Sequence, residues 1–268
     1  MAEVHDNNDV SPDESAPLMD ATAAGTGWPI DKDGPFPEID GYKIIEAMQA
    51  GGQGKLFKAR ELTPSGREVV LKFPRAGVFS SDRAVALFEN EVQKAASLDH
   101  PNIARIYSSG QYDRMPFYSM EFIDGVDLDE YVQETDLGQR DILELVRTVC
   151  LAVQHAHQRQ LVHRDLKPAN IMVTRDGAVP KLLDFGLAIE ETDLQATVDR
   201  GVGTLLYMSP EQAAYESVTT QTDVYSLGVI LYELLTGEHP HWSADQDGQT
   251  LSPGQFRDRI ANGEPIRP

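Results

Sequence analysis

The chain has 268 residues, of which 41% are hydrophobic and 25% are charged. This length and composition are typical of a globular protein with one or two domains and a buried core. The formal net charge is −20. Such an excess of acid argues against binding nucleic acid through its phosphates, because that mode needs clustered lysine and arginine. We therefore expect no nucleic-acid partner.

The sequence predicts a cytoplasmic protein with no membrane span. Its single cysteine, Cys150, cannot form an internal disulfide, which fits a reducing compartment. The longest apolar stretch, 227–235, contains Glu233 and is shorter than the roughly 20 residues that a spanning helix needs. No basic segment followed by an apolar one indicates a secretory signal.

Residues 1–37 are predicted to form an acidic disordered tail. They contain eight acidic residues against one lysine, and five prolines interrupt them. Few periodic apolar positions accompany this charge, so the segment has little with which to build a core. The alternative is that its aromatic residues, Trp28 and Phe36, dock on the folded part.

Three strand-like segments follow, 42–48, 55–60 and 67–73, and they predict an antiparallel meander. The first connection is rich in glycine, with Gly51, Gly52 and Gly54. Backbone amides of such a hairpin can approach phosphates closely, because glycine has no Cβ to block them.

A helix is predicted from Ser81 to Leu98, with Ser81 as its N-cap. Glu91 falls inside the apolar stripe of this helix, one position from Val92. A carboxylate directed toward a core is costly unless it finds a cation, so Glu91 needs a basic partner.

The stretch 161–186 carries most of the chemical signal. Apolar runs at 171–174 and 179–183, joined by Asp-Gly, predict a β-hairpin. Asp165 and Asn170 precede this hairpin and Asp184 follows it, so the hairpin gathers their side chains at one end. Hard oxygen ligands of this kind suit Mg²⁺ shared with phosphates. Lys167 adds a cation near any bound phosphate.

His163-Arg164-Asp165, with Lys167 and Asn170, followed by Asp184-Phe185-Gly186, resembles the eukaryotic-type serine/threonine protein kinase family. The resemblance implies an α+β, two-lobed fold with a small antiparallel β lobe at 38–122 and a mainly helical lobe at 123–268. It also implies ATP and Mg²⁺ as cofactors and protein serine or threonine hydroxyls as acceptors.

The same resemblance implies roles for individual residues. Asp165 is the base that accepts the proton of the substrate hydroxyl, and Lys167 contacts the transferring phosphate. Asn170 and Asp184 hold magnesium. Lys72, at the end of the third strand, contacts the α- and β-phosphates and is the implied partner of Glu91.

Nucleotide contacts are implied in the same way. Gly51 and Gly54 match the second and third glycines of the kinase glycine-rich loop, with Gly52 between them, while Gln49 stands where the first is expected. Met120 matches the gatekeeper. The backbone of Glu121 and Ile123 matches the hinge that binds adenine, and Asp127 matches the ribose position.

Residues 184–211 resemble an activation segment that ends in Ser209-Pro210-Glu211, where the family usually has Ala-Pro-Glu. Thr204 resembles the threonine that Ser/Thr kinases hold beside the catalytic aspartate. Thr197 is the first choice for a phosphorylation site, including self-phosphorylation, and Thr192 is the second. Arg164 is the expected cation for that phosphate.

Helices are predicted at 141–160, mostly buried and with Cys150 in the core, and from Asp223 to Leu235. Asp223 is expected to brace the catalytic loop, and Gly237 to stop its helix. The histidines at 155, 157 and 163 are interpreted as structural rather than metal-binding. After Gly237 the resemblance weakens to one short helical pattern at 255–260, so we expect a helical lobe without its last helices.

Two alternatives to a kinase remain at this point. A pseudokinase or truncated scaffold would bind nucleotide or partner proteins without catalysis, which Gln49 and the incomplete helical lobe would suit. A small-molecule phosphotransferase would share the Asp and Asn of the catalytic loop, but the segment 203–211 suits a peptide acceptor.

Overall fold

The structure is a computed structural model that describes residues 36–48, 54–74, 81–185, 205–241 and 251–263. Some predictions fall outside these ranges: the tail up to residue 35, Gln49, Gly51, Gly52, Thr192, Thr197 and Thr204. Among the described residues, no helix is both long enough and apolar enough to cross a membrane.

Five antiparallel strands form the first sheet, in the order β1-β2-β3-β5-β4. They are β1 (Tyr42–Met48), β2 (Gly54–Glu61), β3 (Glu68–Pro74), β4 (Ile106–Tyr112) and β5 (Met115–Glu121). The first three are the predicted meander, which is confirmed.

The two faces of this sheet bury different sets of side chains, because successive residues of a strand point to opposite sides. On β3, Leu71 and Phe73 pack on one face with Phe57 and Phe117. Val70 packs on the other face, against helix α1 (Asp82–Ala96). Lys72 alternates with Leu71 and Phe73, so it lies on the face that carries α1.

Helix α1 has the predicted N-cap. The Ser81 side chain accepts a hydrogen bond from the N–H of Ala84. Phe88, Val92 and Ala95 are buried, which is the expected i, i+4, i+7 stripe. The helix ends at Ala96, two residues before the predicted boundary.

The rest of the described chain is mainly helical, so the predicted α+β architecture is confirmed. Its helices are α2 (Leu128–Glu134), α3 (Gln139–His157), α4 (Pro210–Ala213), α5 (Thr220–Thr236) and α6 (Pro253–Asn262), with a 3₁₀ turn at Pro168–Asn170. A second sheet joins β6 (Gly125–Asp127), β7 (Ile171–Thr174) and β8 (Pro180–Leu182). The largest core lies between α3, α5 and this sheet.

The predicted hairpin is confirmed, with Ile171 paired to Leu182. Its turn differs from the expectation for Asp-Gly, because the positive φ falls on Ala178, at 52°. The N–H of Ala178 bonds to the carbonyl of Thr174, so the chain reverses over a longer loop than a two-residue turn.

Helix α3 is buried on one side only, which corrects the prediction that it is mostly buried. Val146, Val149 and Val153 form its core face. Cys150 is exposed, so its prediction as a core residue was wrong, and Leu151 beside it is 44% exposed. Position 150 is next to the stripe, and apolar spacing alone does not reveal how wide a face the neighbouring elements cover.

Two segments near the ends of the described chain pack on the fold. Phe36 meets Phe57 edge to face, with ring centroids 6.4 Å apart, so the docking alternative holds for this residue. Helix α6 exceeds the predicted 255–260 and buries Phe256 against Leu205 and Met208. Gly237 ends α5 in the left-handed conformation, as predicted.

Replacing Gly54 by alanine is expected to destabilise the first sheet. Gly54 has φ +145°, and a Cβ there would lie 2.0 Å from the carbonyl oxygen of Phe73. Because that contact is with the backbone of the paired strand, β2 and β3 would have to separate locally. We expect a loss of about 2 kcal/mol or more and a fall in Tm of about 5 °C in thermal denaturation.

Gly228→Ala is the matched control. Gly228 lies in α5, and a Cβ there meets no atom within 4 Å. Alanine raises helix propensity by about 1 kcal/mol at such a position, so Tm should rise slightly. Equal losses of Tm in the two variants would contradict the assigned role of Gly54.

Candidate active site

The catalytic loop, defined as residues 163–170 with the proposed base Asp165, is held by one buried carboxylate, as predicted for Asp223. This residue lies in the first turn of α5 and is completely buried. Its two oxygens accept the backbone N–H groups of His163, at 2.8 Å, and Arg164, at 2.9 Å. His157 contacts the same carboxylate at 2.6 Å. Arg164 has φ +68°, an unusual backbone conformation that these bonds over-determine.

His163 joins this loop to the segment that carries Asp184. Its Nε2 lies 2.7 Å from the carbonyl oxygen of Leu183, which can only accept, so Nε2 carries a hydrogen. Its Nδ1 accepts the N–H of Asp165 at 3.3 Å. The ring packs on Phe185 at 4.8 Å. His163 is therefore a structural residue, as predicted.

Asp165, Lys167 and Asn170 form one cluster. The ammonium of Lys167 lies 3.0 Å from Asp165 Oδ2. The Asn170 amide Nδ2 donates to the backbone carbonyl of Asp165, at 2.7 Å, and to Oδ2, at 3.1 Å. Because the amide nitrogen is directed to Asp165, the amide oxygen of Asn170 is left as an acceptor.

Lys72 reaches Asp184 from the first sheet. Its Nζ is 2.5 Å from Oδ2 of Asp184, and both side chains are almost buried. Burial alone would raise the pKa of Asp184. The ammonium of Lys72, hydrogen bonds from Lys72 and Tyr118, and nearby His163 outweigh it, so this pKa lies below its usual range. Asp184 is thus a buried anion at neutral pH.

In this structure Glu91 pairs with Lys94, so the predicted ion pair with Lys72 is not formed between the described residues. The Oε1 of Glu91 lies 2.5 Å from Nζ of Lys94, three residues further along α1. The described ion pair of Lys72 is with Asp184. Lys94 is held beside Glu91 by the helix itself, whereas Lys72 approaches from another element and is drawn to the more buried carboxylate.

Three of the residues predicted to contact nucleotide lie at the end of β5 or just after it. Met120 is buried at the end of β5. The side chain of Glu121 pairs with Lys181 at 2.8 Å, and its N–H bonds to the carbonyl of Arg105 at 2.8 Å. Ile123 lies outside the helices and strands. Among the described residues, neither its N–H nor its carbonyl bonds to another backbone group. Such peptide groups suit an adenine edge.

Asp127 and Gly54 each have a structural role that was not predicted. Asp127 caps α2, with Oδ1 accepting the N–H of Glu130 at 2.9 Å. Gly54 allows close pairing with Phe73. These contacts explain both residue types without a ligand, so their ribose and phosphate roles stay predictions.

The end of the predicted activation segment contacts the catalytic loop directly. Ser209 and Gln212 form a capping box at the start of α4. The amide of Gln212 donates to the carbonyl oxygen of Arg164 at 2.8 Å. The carboxylate of Glu211 accepts the hydroxyl of Thr222 at 2.5 Å. Serine in place of alanine at 209 thus supplies a helix cap.

Residues 42–260 match the family model described as the protein kinase domain. This chain belongs to the protein kinase family.

Curated members of this family resemble the chain over most of its length. It is 37% identical over 204 residues to the probable serine/threonine-protein kinase PknB of Lactococcus lactis subsp. lactis, covering 75% of this chain and 32% of that protein. For PknB of Mycolicibacterium smegmatis the identity is 38%, with 75% and 33% covered. For PrkC of Bacillus subtilis it is 37%, with 74% and 31% covered. The chain spans about a third of the length of these relatives.

The donor set fits the magnesium and nucleotide that the kinase family implies. Asp184 supplies a buried anionic carboxylate, and Asn170 supplies an amide oxygen, both of which are hard ligands that Mg²⁺ prefers. Lys72 and Lys167 are cations that would suit phosphate. No cluster of three histidine, cysteine or acidic residues suited to a metal occurs in the described part of the chain.

Sequence reasoning missed Tyr118 and Asp129. Tyr118 is 1% exposed, and its hydroxyl donates to Asp184 Oδ1 at 2.7 Å. A phenol in a buried strand needs a polar partner, and its place two residues before Met120 was the available signal. Asp129 follows Asp127 on α2. Burial first, and then the charges of Glu233 and Asp127, raise its pKa to about 6.

Asp129→Asn is expected to stabilise the protein more at pH 7.5 than at pH 5.2. The folded pKa is raised from 3.8 to about 6, so the folded protein holds the proton more tightly than the unfolded chain. Stability is therefore lost as the pH rises through this interval. Removing the carboxylate should raise Tm by about 2 °C at pH 7.5 and by less at pH 5.2.

Glu130→Gln, an exposed change on the same helical turn, is the control in these melts. A Tm gain for Asp129→Asn that is the same at both pH values would show that the charge of Asp129 is not the cause.

Proposed function

We propose that this chain is the catalytic domain of a serine/threonine protein kinase, which transfers the γ-phosphate of ATP to hydroxyls of protein serine and threonine. The observation that carries the proposal is the contact between Lys72, on the first sheet, and Asp184, which follows the hairpin beside Asp165 and Asn170. Names of the kinase relatives support the same activity.

Asp165 is the proposed general base. In the transfer, the acceptor oxygen forms a bond to the γ-phosphorus, the bond from that phosphorus to the β-phosphate oxygen breaks, and ADP leaves. The hydroxyl proton passes to the Asp165 carboxylate. Asn170 orients this carboxylate through the 3.1 Å bond to Oδ2, and Lys167, 3.0 Å away, is near enough to contact the transferring phosphate.

The nucleotide is proposed to lie between β5 and the catalytic loop. The backbone of Glu121 and Ile123 would bind adenine beside Met120, with Asp127 toward the ribose and the loop at Gly51, Gly52 and Gly54 over the phosphates. Mg²⁺, when bound, would neutralise phosphate charge during transfer. Asn170 and Asp184 are the proposed ligands, and Lys72 the proposed cation for the α- and β-phosphates.

Glu91 is proposed to exchange Lys94 for Lys72 when nucleotide is bound. Lys94 is 52% exposed, and surface pairs three residues apart on a helix contribute about 0.5 kcal/mol or less. Breaking that pair therefore costs little. Phosphates near Lys72 would at the same time draw its ammonium away from Asp184. The Lys72 ammonium could then donate to the carboxylate of Glu91.

Thr197 is proposed as a self-phosphorylation site, with Arg164 as the cation for the phosphate. Proteins bearing serine or threonine are the proposed substrates. Dependence on ATP and a single cysteine support a cytoplasmic location for this domain.

Asp165→Asn is expected to lower phosphate transfer from γ-labelled ATP to a generic protein substrate by about 100-fold or more. Asparagine keeps the shape of the side chain but cannot accept the hydroxyl proton. Incorporation of label into protein is the measurement, with glucose as a small-molecule acceptor in a parallel reaction.

Asp176→Asn, an exposed change in the turn of the β7–β8 hairpin, is the matched control and should keep full activity. Label in protein that is equal in Asp165→Asn and the unchanged chain, or absent from both, would contradict a kinase. Transfer only to the small molecule would favour the other phosphotransferase class. Mass spectrometry of the unchanged chain after the same reaction tests self-phosphorylation. We expect phosphate on Thr197, and an unmodified Thr197 would contradict that proposal.

A further inference from the structure

Tyr118 lies on β5, two residues before Met120, on the same face of the first sheet as Lys72. Tyr118 and Lys72 are paired in the register of β3 and β5. Such cross-strand partners point to the same side of a sheet, with Cβ atoms about 5 Å apart. Tyr118 is 1% exposed, and its ring packs against Phe88 of α1, with centroids 6.1 Å apart.

These two neighbours hold the two oxygens of one carboxylate. The Tyr118 hydroxyl donates to Asp184 Oδ1 at 2.7 Å, while the Lys72 ammonium contacts Oδ2 at 2.5 Å. Two donors on two adjacent strands, one for each oxygen, restrict the rotation of the carboxylate about its Cβ–Cγ bond.

The backbone around Asp184 does not by itself fix the position of the carboxylate. Its backbone φ is +56°, in the left-handed region that residues other than glycine rarely adopt. It follows β8 on a loop, so no strand pairing fixes its side chain. A tyrosine hydroxyl is protonated at neutral pH, so the phenol can act as the donor in this contact.

The hydrogen bond leaves Asp184 able to bind a cation. A carboxylate has about four lone-pair positions, and one donor on each oxygen leaves a second position on each. Donors of this kind around a metal-binding carboxylate orient it, and their removal typically weakens metal affinity about 10- to 100-fold.

We propose that Tyr118 is a positioning residue that holds the Asp184 carboxylate ready to bind Mg²⁺. This inference rests on the proposed function, in which Asp184 is a magnesium ligand. Tyr118 would act through Asp184 and touch neither nucleotide nor acceptor. Its removal should therefore weaken the gain in nucleotide affinity that magnesium gives, and leave magnesium-free binding unchanged.

The test compares Tyr118→Phe with the unchanged chain by isothermal titration calorimetry. The non-hydrolysable ATP analogue AMP-PNP is titrated in EDTA and again in saturating MgCl₂. Phenylalanine keeps the buried ring and removes only the hydroxyl. The Kd ratio is the Kd in EDTA divided by the Kd in MgCl₂. We expect this ratio to be about tenfold smaller in Tyr118→Phe than in the unchanged chain, while the Kd in EDTA stays within twofold of that of the unchanged chain.

Tyr42→Phe is the matched control. The Tyr42 hydroxyl bonds to Ser108 at 2.7 Å and Ser119 at 3.1 Å, so it also supports β5, but from the opposite face of the sheet. This variant should keep the full magnesium effect. It separates a specific action on Asp184 from a general loosening of the strand.

Three results would overturn the role of Tyr118: an unchanged Kd ratio in Tyr118→Phe, a larger ratio, or an equal fall in Tyr42→Phe. The larger ratio would mean that the hydroxyl competes with the metal. In each of these results the unchanged chain still binds AMP-PNP, and the proposed function survives. An unchanged chain that binds no AMP-PNP would instead overturn both.

Discussion

The ion pair between Lys72 and Asp184 is the interaction on which the candidate site depends. It joins the first sheet to the segment after β8 through two almost buried side chains 2.5 Å apart. Loss of one partner of such a pair leaves an uncompensated buried charge, which typically costs about 3–5 kcal/mol. The pair therefore fixes the two parts of the chain to each other at this point.

The helical part supplies a rigid counterpart to this pair. Asp223, buried at the start of α5, holds the backbone of His163 and Arg164, and His163 in turn binds the carbonyl of Leu183. The hairpin β7–β8 connects the same two segments, with the N–H of Leu183 bonded to the carbonyl of Asn170. Asp165 and Asp184 are thus positioned by one continuous network of backbone and buried side-chain hydrogen bonds, which fits a reaction that works by positioning charges.

Where sequence reasoning failed, the missing information was tertiary. Glu91 was expected to pair with Lys72 because a carboxylate near an apolar stripe needs a cation, and a cation is indeed what it has. Which cation depends on the distance between α1 and β3, whereas Lys94 is available from the helix alone. The prediction for Cys150 failed for a similar reason, because the width of the buried face of α3 is set by its neighbours.

By itself, the sequence determined the order of most elements, the caps at Ser81 and Gly237, and the grouping of Asp165, Lys167 and Asn170. These features are local, since periodicity, turn residues and spacing along the chain decide them. Only the tertiary structure decided that Tyr118 bonds to Asp184 and that Gln212 donates to the carbonyl of Arg164. It also decided that Lys72 pairs with Asp184 and not with Glu91. Each of these contacts joins residues far apart in the chain, and their partners are selected by packing distances and burial that no sequence pattern contains.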